Sequence, residues 1–431
     1  MKKVRKMEYK PNKKSFRNYI FFWSGQLFSL FGSMVVYFVI IWWITEETQS
    51  PVYLAIGSFL FIICQVIFMP IAGVLADRLN RKVIIVVADS LQAFTTLLLL
   101  VLFQMNLANV WTVLIFIGVR SIFQAFHLPA VNSIIPAMVP KENLSRINGI
   151  NFLFTGVVQI IAPLTGATLM ILLPINTILW VDVITFFIAL IPLVFIKIPS
   201  ANKHGENVEK KSFFREFKQG LQTIKVIPGL VTIIFLSMLL NFLMRPFDTL
   251  MPYYINVFHG GSATHLAIVL VFFQGGMIFG ALITSIKKTW KSKMKVIFGC
   301  ISILMMGYGI MALAPPGGYL VIGIGGVAMG LTLPIINALY QTFIQTVVPA
   351  EKMGRITSID SSLSMSISPI GTLISGPLAE VFGVGNLFLY CAILGMIVTL
   401  LVWSFTGIKN VDYDSKIELE MITGSINSIK N

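Results

Sequence analysis

Ionisable side chains stand inside stretches of this chain that are otherwise apolar: Asp89, Arg120, His127, Asp182, Arg245, Asp248 and Asp360. Placing such a group in a bilayer costs about 2.5–3.5 kcal/mol on insertion scales, so each needs a partner or a task. The task open to carboxylates and guanidinium groups in that setting is to hold or pass a charge, a proton first of all. Hydrolytic chemistry has no such footing. The sequence has no H-E-x-x-H motif, no Ser/His pair within a span and no His/Glu metal cluster, and it has no G-x-x-x-x-G-K-[ST] loop with which to cradle a nucleotide. No metal or cofactor is called for, and no enzymatic activity is expected.

Each charge has competing readings. Arg120 falls in the middle of its apolar stretch, where it faces a cavity or pairs with Asp89 on the neighbouring segment. Arg245 and Asp248 are three residues apart, hence on one helix face and within pairing distance. Asp248 is the leading protonation candidate of the second half, and a permanent ion pair is the alternative. The flanking Pro246 and Pro252 suggest a kinked helix there. Asp182 is read as a packing or interfacial residue, Asp360 beside Arg355 as a pair at the cytoplasmic end, and His127 beside Pro129 as a packing residue. Polar and aromatic cavity candidates are Gln26, Tyr37, Gln159, Asn241, Gln274, Asn337 and Gln341.

The elements that must position these groups are long apolar helices. Hydrophobic residues make up 56% of the 431-residue chain and charged residues 12%, against about 25% charged in a soluble domain. Runs near 18–45, 51–76, 83–104, 109–137, 147–172, 176–197, 229–257, 264–286, 295–314, 318–346, 356–382 and 386–408 are each long enough to span a bilayer. The fold class expected is all-α integral membrane, twelve transmembrane helices in two six-helix bundles. Residues 1–199 form the first bundle, 200–227 a cytoplasmic loop, 228–409 the second bundle and 410–431 a tail. Within the loop, Phe213, Phe214, Phe217 and Leu221 suggest a short amphipathic helix on the membrane surface. Trp23, Trp42, Trp43, Trp111 and Trp403 fall near span ends, as an aromatic belt would. Cys64, Cys300 and Cys391 all lie within spans and make no disulfide framework.

With these spans, every Lys and Arg except Arg120 and Arg245 falls in the termini or the loops on one side. Cationic loops resist translocation, so that side is the cytoplasm and both termini are inside the plasma membrane. The net charge of +14 is therefore read as topology and attraction to anionic lipid rather than nucleic-acid binding.

The two halves resemble each other. Leu128-Pro129-Ala130-Val131-Asn132 has a counterpart in Leu333-Pro334-Ile335-Ile336-Asn337, Val139-Pro140-Lys141-Glu142 in Val348-Pro349-Ala350-Glu351, and Gly73-Val74-Leu75 in Gly280-Ala281-Leu282. Three matches in one order point to a parallel repeat, a build found in transporters whose substrate sites lie near the bilayer midplane.

The loop Gly73-Val74-Leu75-Ala76-Asp77-Arg78-Leu79-Asn80-Arg81-Lys82 resembles the major facilitator superfamily signature, with Asn80 in place of a glycine and able to take the same left-handed turn. Gly73 is expected at a close helix approach. The resemblance implies a gating loop, with Gly73, Asp77, Arg78, Arg81 and Lys82 as its residues and Asp77 and Arg81 as its latch. Further runs, Trp23-Ser24-Gly25-Gln26, Thr45-Glu46-Glu47-Thr48, Ala88-Asp89, Arg120-Ser121-Ile122, Ala125-Phe126-His127-Leu128-Pro129-Ala130 and Ser368-Pro369-Ile370-Gly371, are similar to the bacterial macrolide-efflux group. That resemblance implies export of an amphipathic compound by alternating access in exchange for protons, with Arg120 assisting proton movement. Ala162-Pro163-Leu164-Thr165-Gly166-Ala167 is an altered form of the antiporter signature of the fifth helix. Expected partners are a small-molecule substrate, protons and membrane lipids, with the chain acting as a monomer. A siderophore, lipid or metabolite as cargo is the alternative, and a membrane-bound enzyme the more distant one.

Overall fold

A helix satisfies every backbone N–H and C=O within its own segment, which an apolar span in lipid requires, and the described residues contain helices and turns but no strand. The computed structural model describes residues 13–196, 222–225, 227, 229–287, 289–348 and 350–410. The amphipathic segment expected at 213–221 and the polar tail after Asp412 lie outside the described residues, as do the side chains of Asp77, Arg78 and Arg355.

The helices in chain order are α1 (Lys13–Thr48), α2 (Pro51–Arg78), α3 (Arg81–Gln104), α4 (Val110–Met138), α5 (Leu144–Leu172), α6 (Ile175–Phe195), α7 (Leu230–Phe258), α8 (Ala263–Ile286), α9 (Lys293–Ala312) and α10 (Tyr319–Val347). They are followed by α11, in two pieces (Ala350–Ser366 and Ser368–Phe382), and α12 (Val384–Phe405). Among the described residues, eleven helices are long and apolar enough to cross a membrane. The remaining span, expected as one helix over 356–382, is broken at Ile367 into pieces of 17 and 15 residues. Pro369 supplies the reason: it has no N–H to give to the turn before it, and its ring crowds that turn. Phe195, Ile286, Val381 and Phe405 are 77%, 78%, 75% and 83% exposed, a surface suited to lipid tails and not to water. Trp42 departs from the belt expectation, being 1% exposed in the protein interior, whereas Trp111 is 58% exposed.

The chain gathers into two compact units, residues 1–41 with 60–204 and residues 42–59 with 205–431. The first has a core of Tyr19, Phe22, Ile85, Ala130, Ile134, Met138, Ile147 and Leu193, drawn from α1, α3, α4, α5 and α6. The second holds an aromatic core in which Tyr308 and Tyr254 pack on Phe388, with ring centroids 5.4 and 4.9 Å apart. Residues 42–59, the turn between α1 and α2 with its flanking helix ends, belong to this unit. Ser50 Oγ donates to Glu380 at 3.2 Å, and a Cβ added at Gly376 would lie 2.7 Å from Val52 Cα. Small residues also set the crossing of α8 and α10: a Cβ at Gly276 would come 2.6 Å from the Val327 carbonyl oxygen. Backbone contact of this kind replaces the hydrophobic driving force that lipid removes.

Candidate functional site

The first unit encloses a cavity of about 280 Å³ lined by α1, α3, α4, α5 and α6. Its construction begins with the glycines of α1. Gly25 and Gly32 face α6, where an added Cβ would fall 2.9 Å from Pro192 Cγ and onto the side chain of Thr185 respectively. That close approach carries Asp182 of α6 up to Ser33 of α1.

Asp182 is buried and fully engaged. Ser33 Oγ donates to its Oδ1 at 2.8 Å, and Thr96 Oγ1 of α3 to its Oδ2 at 2.6 Å. Arg120 Nη1 of α4 pairs with Oδ2 at 2.6 Å, while Arg120 Nη2 reaches Oδ1 at 3.4 Å and Ser33 at 3.3 Å. Arg120 also bonds the Thr96 hydroxyl. A guanidinium that answers both oxygens of a carboxylate in this way is the geometry that arginine, unlike lysine, provides.

A second polar tier lies two turns along the same helices. Gln26 and Ser33, Asp89 and Thr96, and Arg120 and His127 are each seven residues apart, about 10.5 Å along a helix axis. Because α4 runs antiparallel to α1 and α3, Gln26, Asp89 and His127 meet in one tier and Ser33, Thr96 and Arg120 in the other. His127 Nε2 lies 2.9 Å from Gln26 Oε1 and 3.2 Å from Asp89 Oδ1. His127 Nδ1 is buried and has no hydrogen-bond partner among the described residues. Tyr19, Phe22, Trp23 and Phe186 supply the aromatic walls.

This arrangement revises three of the expected partnerships. Arg120 is joined to Asp182, not to Asp89, because the two-turn offset places Asp89 at the depth of His127. Asp182 is that arginine's counter-ion and lines the cavity, beyond the packing role expected of it. His127 likewise lines the cavity against Asp89. Neither Ser33 nor Thr96 was among the cavity candidates read from the sequence, although their seven-residue spacing from Gln26 and Asp89 is a visible signal.

The second unit holds a cavity of about 220 Å³ lined by Ser237, Asn241, Arg245, Asp248, Asn337 and Tyr340 among apolar residues of α7, α8, α9 and α10. Arg245 Nη1 and Asp248 Oδ2 are 3.4 Å apart. Tyr340 donates to Asp360 Oδ1 at 2.6 Å, so the phenol of α10 holds that buried carboxylate. Of the other candidates, Tyr37, Gln159, Gln274 and Gln341 line neither of these cavities. Tyr37 turns instead against Phe61, at 5.6 Å between centroids. His259, just past the π-helical turn Tyr254–Phe258, is walled by Tyr254, Phe258 and Tyr319. Burial holds its imidazole below the ordinary range, so it is neutral at physiological pH.

In the loop between α2 and α3, Asn80 is the N-cap of α3 and accepts from Lys82 N at 3.0 Å. Its φ of −70° and ψ of 112° are extended, so it replaces glycine by capping and not by the left-handed turn expected. Arg81 Nη1 donates to the Ser133 carbonyl at 3.0 Å. Lys82 Nζ donates to the Val194 and Ile196 carbonyls at 3.1 and 2.9 Å, satisfying the free C-terminal carbonyls of α6 with a cation. Gly73 has no described atom within 4 Å of where a Cβ would stand, so the close helix approach expected there is not found among the described residues.

Residues 22–372 match the Major Facilitator Superfamily. The chain belongs to that family. As a member it is a multi-pass membrane transporter of small molecules and not an enzyme. It is 29% identical over 391 residues to Macrolide efflux protein A of Streptococcus pyogenes, covering 90% of this chain and 96% of that protein. It is 22% identical to Multidrug efflux pump Tap of Mycolicibacterium fortuitum over 355 residues, 80% of this chain and 85% of that one. Among solved structures, the nucleoside transporter NupG superposes with a TM-score of 0.69 at 15% identity, covering 91% of this chain and 99% of that chain. That likeness is one of fold alone.

Proposed function

We propose that this transporter exports amphipathic compounds, a macrolide antibiotic first among them, across the plasma membrane in exchange for protons, with both termini in the cytoplasm. The observation that carries the reading is the end-to-end similarity to Macrolide efflux protein A. Supporting it are charged groups at or beside two cavities: Asp89, Arg245 and Asp248 line them, Arg120 pairs with the lining residue Asp182 and Asp360 accepts from the lining residue Tyr340, and these five are the candidates for moving charge. The energetics suffice. Proton entry across 100 mV supplies about 2.3 kcal/mol per charge, and at about 1.4 kcal/mol per decade one proton sustains a gradient somewhat under 100-fold.

The test is accumulation of radiolabelled macrolide in cells with and without the protein, repeated after a protonophore. Lower accumulation that rises on uncoupling supports antiport; export that survives uncoupling rules it out. In this reading Asp77 and Arg81 latch the loop between α2 and α3. Asp77→Asn in the same assay is expected to cut export several-fold with normal membrane insertion, and unchanged export would remove the latch.

A further inference from the structure

The runs Gly73-Val74-Leu75 and Gly280-Ala281-Leu282 lead into loops that both carry cations, and the two loops hold them differently. Between α2 and α3, Arg81 and Lys82 are bonded to the protein itself, through the carbonyls of Ser133, Val194 and Ile196. Between α8 and α9 no such acceptor is met. Lys287, Lys291 and Lys295 are exposed, and among the described residues none of them donates to a carbonyl or pairs with a carboxylate. Lys287 Nζ stands 4.1 Å from the centre of the Trp290 ring, a cation–π contact that fixes one ammonium group over the loop. The turn Gly407–Asn410 packs on α9 and α12 and adds the exposed Lys409. Ammonium groups gathered without a counter-charge make a positive field that draws an anion.

Apolar surface begins immediately beside them. Ile303, Met306 and Ile310 are exposed on α9, and Lys295 and Gly299 extend the same face towards the loop at four-residue steps. A Cβ at Gly299 would meet no described atom within 4 Å, so the stripe has a gap about one turn from Lys295. Trp290 is of the residue type that concentrates at headgroup level. We propose that this end of the second unit is a docking site for an anionic phospholipid. The phosphodiester of that lipid lies among Lys287, Lys291 and Lys295, and one acyl chain runs along Gly299, Ile303 and Met306. The chemistry selects this occupant. A soluble phosphate gains nothing from the apolar stripe, and a zwitterionic phospholipid brings a cation of its own up to the lysines. The site is independent of the exported compound and of the ion exchanged for it.

Native mass spectrometry of the full-length protein, released from nanodiscs of equal phosphatidylglycerol and phosphatidylcholine with the same acyl chains, reads which lipid stays bound. The native protein is expected to retain phosphatidylglycerol at least about tenfold over phosphatidylcholine. A lysine near an anionic surface contributes roughly fivefold. Lys287→Gln, Lys291→Gln and Lys295→Gln together therefore lose about 100-fold, and the preference with it. An unchanged Tm in phosphatidylcholine nanodiscs reports that this variant is folded. Lys287→Arg, Lys291→Arg and Lys295→Arg together keep the preference. So does a control with Lys13→Gln, Lys14→Gln and Lys225→Gln, which removes the same net charge from exposed lysines elsewhere. Equal retention of the two lipids by the native protein would overturn the docking site. A preference that survives the glutamine variant, or one that is lost equally in the distant control, would do the same. Displacement of the bound lipid by millimolar glycerol phosphate would also overturn it, as the mark of a soluble phosphate held by the lysines alone.

Discussion

Arg120→Ala is expected to cost the first unit about 3–5 kcal/mol, the penalty of leaving a buried carboxylate without its counter-charge. Asp182 is 4% exposed, and with Arg120 gone it keeps only the Ser33 and Thr96 hydroxyls. Two neutral donors solvate a carboxylate but do not cancel its charge. The measurement is the fraction of detergent-solubilised protein that stays monodisperse after heating, read as a shift in Tm. Asp182→Asn added to Arg120→Ala removes the orphaned charge and should recover most of the loss, the non-additivity being the signature of a direct pair. Arg120→Lys should fall between, since an ammonium group cannot span both carboxylate oxygens while also reaching two hydroxyls. A single alanine variant as heat-resistant as the parent would show that charge balance at Asp182 is not what holds these helices together.

The spans were legible because each is a run of apolar residues longer than a soluble core helix needs, with punctuating cations on one side. Partner choice was not. Whether Arg120 meets Asp89 or Asp182 depends on the rotation of α6 about its axis, which the glycines of α1 set by admitting Thr185 and Pro192 so closely. No one-dimensional pattern reports that rotation. The seven-residue spacings on α1, α3 and α4 were present in the sequence and would have separated the two tiers, because antiparallel helices with one spacing bring their polar positions to common depths. The break in α11 was signalled by Pro369, but the apolar stretch beyond it reads as part of one span. Asn80 teaches the complementary lesson. The residue standing where the signature has glycine caps α3 with its side chain from an extended backbone, a role that the signature's glycine does not announce.

Glycine itself has to be read through its neighbours, and Gly330→Leu provides the sharpest test of that principle. At Gly73, inside the signature, a side chain would meet open space; at Gly330, in no signature, a Cβ would fall on the Phe273 carbonyl oxygen of α8. Gly280 of α8 faces the Leu331 carbonyl of α10 in the same manner, so the two helices approach through opposed glycines. Neither obstacle is a flexible side chain that swings aside. Both are helical backbone, and relief requires the two axes to separate. Separation strips contacts along the interface and, in lipid, no hydrophobic gain offsets the lost packing. The expected penalty for Gly330→Leu exceeds the ordinary 1–3 kcal/mol of overpacking, with little monodisperse protein recovered from membranes. Gly73→Leu on the same assay should behave as the parent. If the two leucine variants were recovered equally well, the crossing of α8 and α10 would not be the close backbone contact on which the second unit is built.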